Sequence, residues 1–150
     1  MALYLDEPDV LALASEALTD GPDDRKIDFL YLDPDGRRVI FAQGYFSSED
    51  RSAAPSNKAA DLNTAAAWLF HGEIAEVPTY LRDQVAACRE GLHAGELDTI
   101  ELIYVHNLPE SRNVERELET AEAAISASLP DDSGVLVVAR ELGLGALDKL

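Results

Sequence analysis

Two runs of strand-forming residues flank Asp33-Pro34-Asp35-Gly36, a segment that reverses the chain within a few residues. Ile27 to Leu32 precedes the turn and Arg38 to Phe46 follows it. Both runs are rich in Ile, Val, Leu, Phe and Tyr, so the spacing predicts an antiparallel hairpin. Everything else must supply the layers that cover this hairpin.

Upstream, Val10, Leu11, Leu13, Ala14, Ala17 and Leu18 recur at helical spacing. Asp9 is placed to cap that helix, and Gly21-Pro22 is placed to close it. Ser47 to Pro55 reads as a loop. Ser56 is the expected N-cap of an Ala-rich helix running to Phe70. A further helix is expected over Val77 to Leu92, with Gly91 and Gly95 marking its end. Thr99 to His106 reads as a buried strand. Asn113 to Leu129 is a helix with a charged face of Glu115, Arg116, Glu119 and Glu122, and Gly134 to Ala139 is a last buried strand. The alternation of strands and helices in the second half favours an α/β layer arrangement with the sheet in the middle.

The chain has 150 residues, the size of one domain, and no internal repeat or linker divides it. Residues 1–150 are therefore expected to form a single domain, standing alone or as the N-terminal part of a longer protein. No apolar stretch nears the roughly 20 residues of a membrane helix. Asp6, Glu7 and Asp9 also spoil any signal-peptide pattern at the start. Cys88 is the only cysteine, which suits a reducing compartment, and the cytoplasm is the expected location. The net charge of −17 works against unaided binding to nucleic acid, where phosphate contacts supply much of the affinity. It fits a solubilising surface, a basic partner, or a nucleic-acid-binding region elsewhere in a larger protein.

Several chemistries find no support. His71, His93 and His106 lack ligand spacing, and Cys88 has no second cysteine for a C-x-x-C site. There is no Gly-x-Ser-x-Gly nucleophile elbow and no Gly-rich phosphate loop ending in Lys-Ser/Thr. Gly143-Leu144-Gly145 is too short for a dinucleotide fingerprint. Trp68 reads as core beside Leu62, Leu69 and Phe70, and Arg37-Arg38 as hairpin surface.

The chemistry-bearing residues lie on the hairpin. If Leu32 pairs with Arg37, Asp28 lies opposite Phe41 with Gln43 as its diagonal neighbour on the same face. Such neighbours have Cα atoms roughly 7–8 Å apart, near enough for both side chains to meet one ion. A one-residue slip would move Gln43 to the other face.

The stretch from Asp28 to Leu69 resembles the PD-(D/E)xK nucleases. The likeness is carried by Asp28, by Phe41-Ala42-Gln43-Gly44-Tyr45-Phe46-Ser47 and by Asn57-Lys58-Ala59-Ala60-Asp61-Leu62-Asn63-Thr64-Ala65. The Gln-x-Lys variant of that motif occurs in Mrr-like restriction endonucleases. The chain is similar as well to the N-terminal nuclease-like region of abortive-infection phage-resistance (AIPR) proteins. The resemblance implies a restriction-endonuclease-like three-layer core, with a central mixed sheet flanked by helices. It implies Mg²⁺ or Mn²⁺ held by Asp28, the Gln43 side-chain oxygen and the Gly44 carbonyl, and metal-dependent cleavage of a phosphodiester. Lys58 is the candidate for a catalytic lysine that has migrated to the following helix, and Glu16 for a further acidic residue.

The departures from the pattern point elsewhere. Tyr45 stands where the family has lysine, and a phenol is neutral at pH 7. Gln43 leaves Asp28 as the one carboxylate of the motif, whereas Mg²⁺ favours one or two. The rival expectation is a nuclease-like domain without catalysis, serving assembly, regulation or sensing. A third is an acidic mimic of DNA charge. Nucleic acid, a homo-oligomer or further domains of the same protein are the expected partners, and a membrane is not.

Overall fold

A computed structural model of the chain describes residues 1–19 and 26–150. The elements run α1 (Ala2–Leu5), α2 (Val10–Ala17), β1 (Phe29–Asp33), β2 (Arg38–Tyr45), α3 (Ser56–His71), α4 (Arg82–His93), β3 (Thr99–His106), α5 (Arg112–Ser128), β4 (Leu136–Leu142) and α6 (Leu144–Leu147). Asp9 caps α2 through Ala12 N–H as expected. The anticipated stop at Gly21-Pro22 lies outside the described residues.

The sheet order is β1-β2-β3-β4, with β1 antiparallel to β2 and the other pairs parallel. Both parallel crossovers advance in the same direction along the sheet. Right-handed crossovers of that kind place their helices on one face. Accordingly α3, α4 and α5 share a core with Leu30, Val39, Phe41, Leu102 and Tyr104. The alternate strand residues Phe29, Ile40, Ala42, Ile103 and Leu142 pack on the other face with Leu13 and Ala17 of α2. Residues of α1 and α6 border that second core. The molecule is thus an α/β fold with a mixed four-stranded sheet between unequal helical layers. No described helix is long and apolar enough to cross a membrane.

Four expectations need correction. In the hairpin, Leu32 pairs with Val39 and Asp33 with Arg38, two residues from the register anticipated. Asp33 Oδ1 accepts the Gly36 N–H at 2.8 Å, and Arg37 takes φ 52°, so the turn retains Arg37 instead of pairing it. Arg38 Nε then bonds Asp33 Oδ2 at 2.8 Å and locks the pair. A two-residue shift preserves the side-chain face, which is why the inside–outside pattern survived it.

Secondly, Pro55 and not Ser56 holds the N-cap position of α3, and Ser56 is its first helical residue. Thirdly, the helix expected from Val77 starts only at Arg82, after a 3₁₀ turn at Thr79–Leu81. Pro78 disfavours helical backbone at Val77 and contributes no N–H. Fourthly, β4 begins at Leu136, beyond Gly134 with its φ of 66°, and continues through Arg140 and Glu141 to Leu142.

Candidate functional site

The C-terminal ends of β2, β3 and β4 lie at one edge of the sheet, where open α/β sheets place their ligands. Two polar clusters occupy that edge.

The first is the hairpin cluster. Asp28 N–H donates to the Ala42 carbonyl at 2.9 Å, while Phe29 is also paired with Ala42. Two residues therefore face one, the arrangement of a β-bulge, which re-aims a side chain at the end of a ladder. The Asp28 carboxylate turns toward the end of β2. Its Oδ2 accepts the Gln43 side-chain N–H at 2.6 Å and the Gly44 backbone N–H at 2.7 Å. A Cβ on residue 44 would stand 3.4 Å from that oxygen, at the near limit of ordinary contact. Gln43 is 5% exposed, and its Oε1 has no hydrogen-bond partner.

Asp28, Gln43 and Gly44 are thus brought together, more closely than the anticipated register implied. Lys58 lies on the first turn of α3, where its Nζ is 3.8 Å from Asp61 Oδ2. Lys26 Nζ reaches the same oxygen at 3.6 Å. Asp61 thereby holds Lys58 beside a residue only two positions from Asp28. Glu16 is exposed on α2. Its charge is felt at Tyr31, whose phenol pKa is raised by burial first and by Glu16 next. No described contact joins Glu16 to the hairpin cluster, so its expected place in the site is not supported.

The donor set does not fit a Mg²⁺ or Mn²⁺ centre in this arrangement. Asp28 is its single carboxylate, and Oδ2 already accepts two N–H donors. Gln43 presents nitrogen to Asp28, whereas a metal would require its oxygen. Among the described residues no group of three or more His, Cys, Asp or Glu side chains could hold a metal ion.

The second cluster escaped the sequence. His106, at the end of β3, is 2% exposed. Its Nδ1 accepts the Leu108 N–H at 3.3 Å, and its Nε2 lies 2.9 Å from Glu141 Oε1. The first bond assigns the neutral tautomer, leaving the proton on Nε2 to be donated to Glu141. Glu141 also accepts the Ser111 N–H, at 3.1 Å, from the residue that caps α5. Burial pushes the Glu141 carboxyl up, against the hydrogen bonds from His106 and Ser111. A groove of about 620 Å³ opens beside it, walled by Glu110, Arg112, Glu115, Glu119 and Glu122. The position of His106 at a strand end was legible. Its partner was not, because β4 was expected to stop at Ala139, short of Glu141.

No family model, curated protein or solved structure matches the chain.

Proposed function

We propose that this chain is a nuclease-like α/β module of a phage-defence protein of the AIPR kind, working in the cytoplasm as an interaction or regulatory domain without catalysis. The observation that carries this reading is the state of Asp28. The carboxylate that would ligate a metal in a PD-(D/E)xK nuclease is here the acceptor for the Gln43 amide and the Gly44 N–H. Tyr45 in the lysine position and the charge of −17 support it, since both weaken contact with a phosphodiester. The resemblance between Asp28 and Leu69 supports the family, and the mixed sheet flanked by helices is compatible with it.

Calorimetric titration with Mn²⁺, wild type beside Asp28→Ala, tests the reading. The expected result is no saturable heat from either protein, with or without a short DNA duplex. Saturable binding to wild type that Asp28→Ala abolishes would overturn it.

One observation favours the second reading, metal-dependent cleavage of nucleic acid. Gln43 Oε1 is buried without a partner, and an unsatisfied buried acceptor is costly. Rotating the amide would turn that oxygen toward Asp28, the orientation a cation would reward. In that reading Asp28, Gln43 and Gly44 hold Mg²⁺ or Mn²⁺, and Lys58 faces the phosphate. Cleavage of a DNA or RNA substrate that requires Mn²⁺, Asp28 and Lys58 together would establish it.

A further inference from the structure

The sheet face opposite α3, α4 and α5 is thinly covered. Its helices α1 and α6 have four residues each, and α2 has eight. Beside α2 lies a cavity of about 310 Å³, walled by Val10, Leu13, Leu18 and Phe29 and also by Asp28 and Gln43 of the hairpin cluster. Leu13 and Ala17 of α2 are buried against the sheet, while Val10, one turn earlier, is 57% exposed. Leu11 and Ala14 begin a second apolar stripe beside them, which Leu18, the extended residue that ends the helix, continues. This second stripe is open to solvent: Leu11 is 83% exposed and Leu18 57%. Leu3 on α1 is 76% exposed. Single exposed leucines are ordinary, but Val10 and Leu18, each 57% exposed, line the cavity with Leu11 next to Val10 on α2, and such a patch marks a surface suited to contact.

The charge of the segment that carries α1 and α2 selects the occupant. Residues 1–19 carry Asp6, Glu7, Asp9 and Glu16 and contain no Lys, Arg or His. Among the lining residues the Met1 amino group is a cation, and its burial favours the neutral amine. A second copy of a chain with net charge −17 is repelled from such a rim. An anionic membrane surface is repelled in the same way. A helix with an apolar stripe and flanking Lys or Arg meets both requirements. Its leucine-like residues would enter the cavity while its cations meet the acidic α1–α2 segment and Asp28, the groove mode of peptide recognition.

We propose that the α1–α2 face is a docking groove for a basic amphipathic helix of a partner protein or domain. The inference rests on the interaction-module reading and names the chemistry of its partner. Asp28 also lines the cavity, so the two ideas share one region but are read by different experiments. Mn²⁺ binding lost in Asp28→Ala would overturn the loss of catalysis, whereas the groove stands or falls on peptide binding.

The probe is a fluorescent Leu/Lys amphipathic model helix, with a Leu/Glu peptide of the same pattern beside it. Fluorescence anisotropy is read on the whole chain and on Leu11→Glu, Leu18→Glu and Leu136→Glu. Leu136 is 59% exposed at the opposite end of the sheet and serves as the control. The expected result is saturable binding of the Leu/Lys peptide and none of the Leu/Glu peptide. Binding should weaken as salt rises past the roughly 0.1 M at which the Debye length is about 10 Å. Leu11→Glu and Leu18→Glu should each weaken it by about tenfold or more, with Leu136→Glu unchanged. All three positions are exposed, so circular dichroism should show unaltered folds. Equal binding of the two peptides, or wild-type affinity in both Leu11→Glu and Leu18→Glu, would overturn the proposal. A concentration-dependent dimer in sedimentation that Leu11→Glu abolishes would also overturn it, by making a second copy the occupant.

Discussion

The Gln43 side-chain amide donates to Asp28 Oδ2 at 2.6 Å and leaves its own oxygen buried without a partner. One residue thus satisfies the carboxylate at the end of β2 while carrying an unmet acceptor itself. This arrangement relieves Asp28 of any need for a cation. It also marks the position whose substitution should bring that need back.

Gln43→Glu places two carboxylates where an amide and a carboxylate now bond. With a chelator at neutral pH this variant should lose about 1–3 kcal/mol, since a donor disappears and a second buried charge is added. Mn²⁺ should restore the loss as a raised melting temperature, because a ligand of the folded state stabilises it in proportion to its saturation. Thermal melts in chelator and in Mn²⁺ read both effects. A variant that melts like wild type in both would show that residues 28 and 43 do not share a site.

Asp28→Ala removes the acceptor of two N–H groups and should cost about 1–3 kcal/mol in urea denaturation. Lys58→Ala breaks only a half-exposed pair with Asp61, and should cost less than about 1 kcal/mol. If the two losses came out equal, the hairpin cluster would not be the structural element described here.

The Cys88 thiol sits among apolar side chains of α3, α4 and β2, and burial pushes its pKa from 9.0 up to about 12. The folded protein should therefore resist a disulfide reagent at mildly alkaline pH and react fully once unfolded. The raised pKa also sets the sign of a pH effect. Its contribution to stability is complete below 9.0 and is lost as pH climbs toward 12, because the unfolded thiol ionises first. Cys88→Ser should flatten that part of the profile in urea titrations. Rapid labelling of the native protein would contradict the burial.

Glu141→Ala strips the acceptor from the buried His106 Nε2–H and from the Ser111 N–H, and should cost about 1–3 kcal/mol. Glu141→Gln addresses the charge alone. Because burial raises the Glu141 pKa above 4.5, its protonated form is the better tolerated one in the fold. Its contribution is full below 4.5 and declines as pH rises through the folded value. The stability difference between Glu141→Gln and wild type should therefore move in favour of glutamine from about pH 4 to about pH 7. Chemical denaturation across that range measures it. A difference that moves the opposite way would mean that the bond to His106 outweighs burial.

The two polar clusters show how far a chain can be read without its fold. Asp28 and Gln43 were found because both lie on one hairpin, and a two-residue change of register left them on compatible faces. His106 and Glu141 were missed as a pair because 35 positions and a whole helix separate them. Arg140 and Glu141 also look too polar to continue a buried strand. Lys58 was singled out by the resemblance, as a lysine migrated to the helix after the hairpin. Its link through Asp61 to Lys26 depends on how α3 lies beside the hairpin.

What the sequence determined by itself is local: the turn at Asp33–Gly36, the two strand-forming runs on either side of it, the cap at Asp9, and the periodicity of α5. These follow from backbone propensity and from the periods of strand and helix, which act over a few residues. Tertiary structure decided the remainder. The Asp33 carboxylate and the left-handed Arg37 set the hairpin register, β3 carried β4 past Ala139, and the Gly44 N–H holds Asp28 beside Gln43. Each outcome depends on groups brought together from different elements, where one hydrogen bond selects among arrangements that local preference leaves nearly equal.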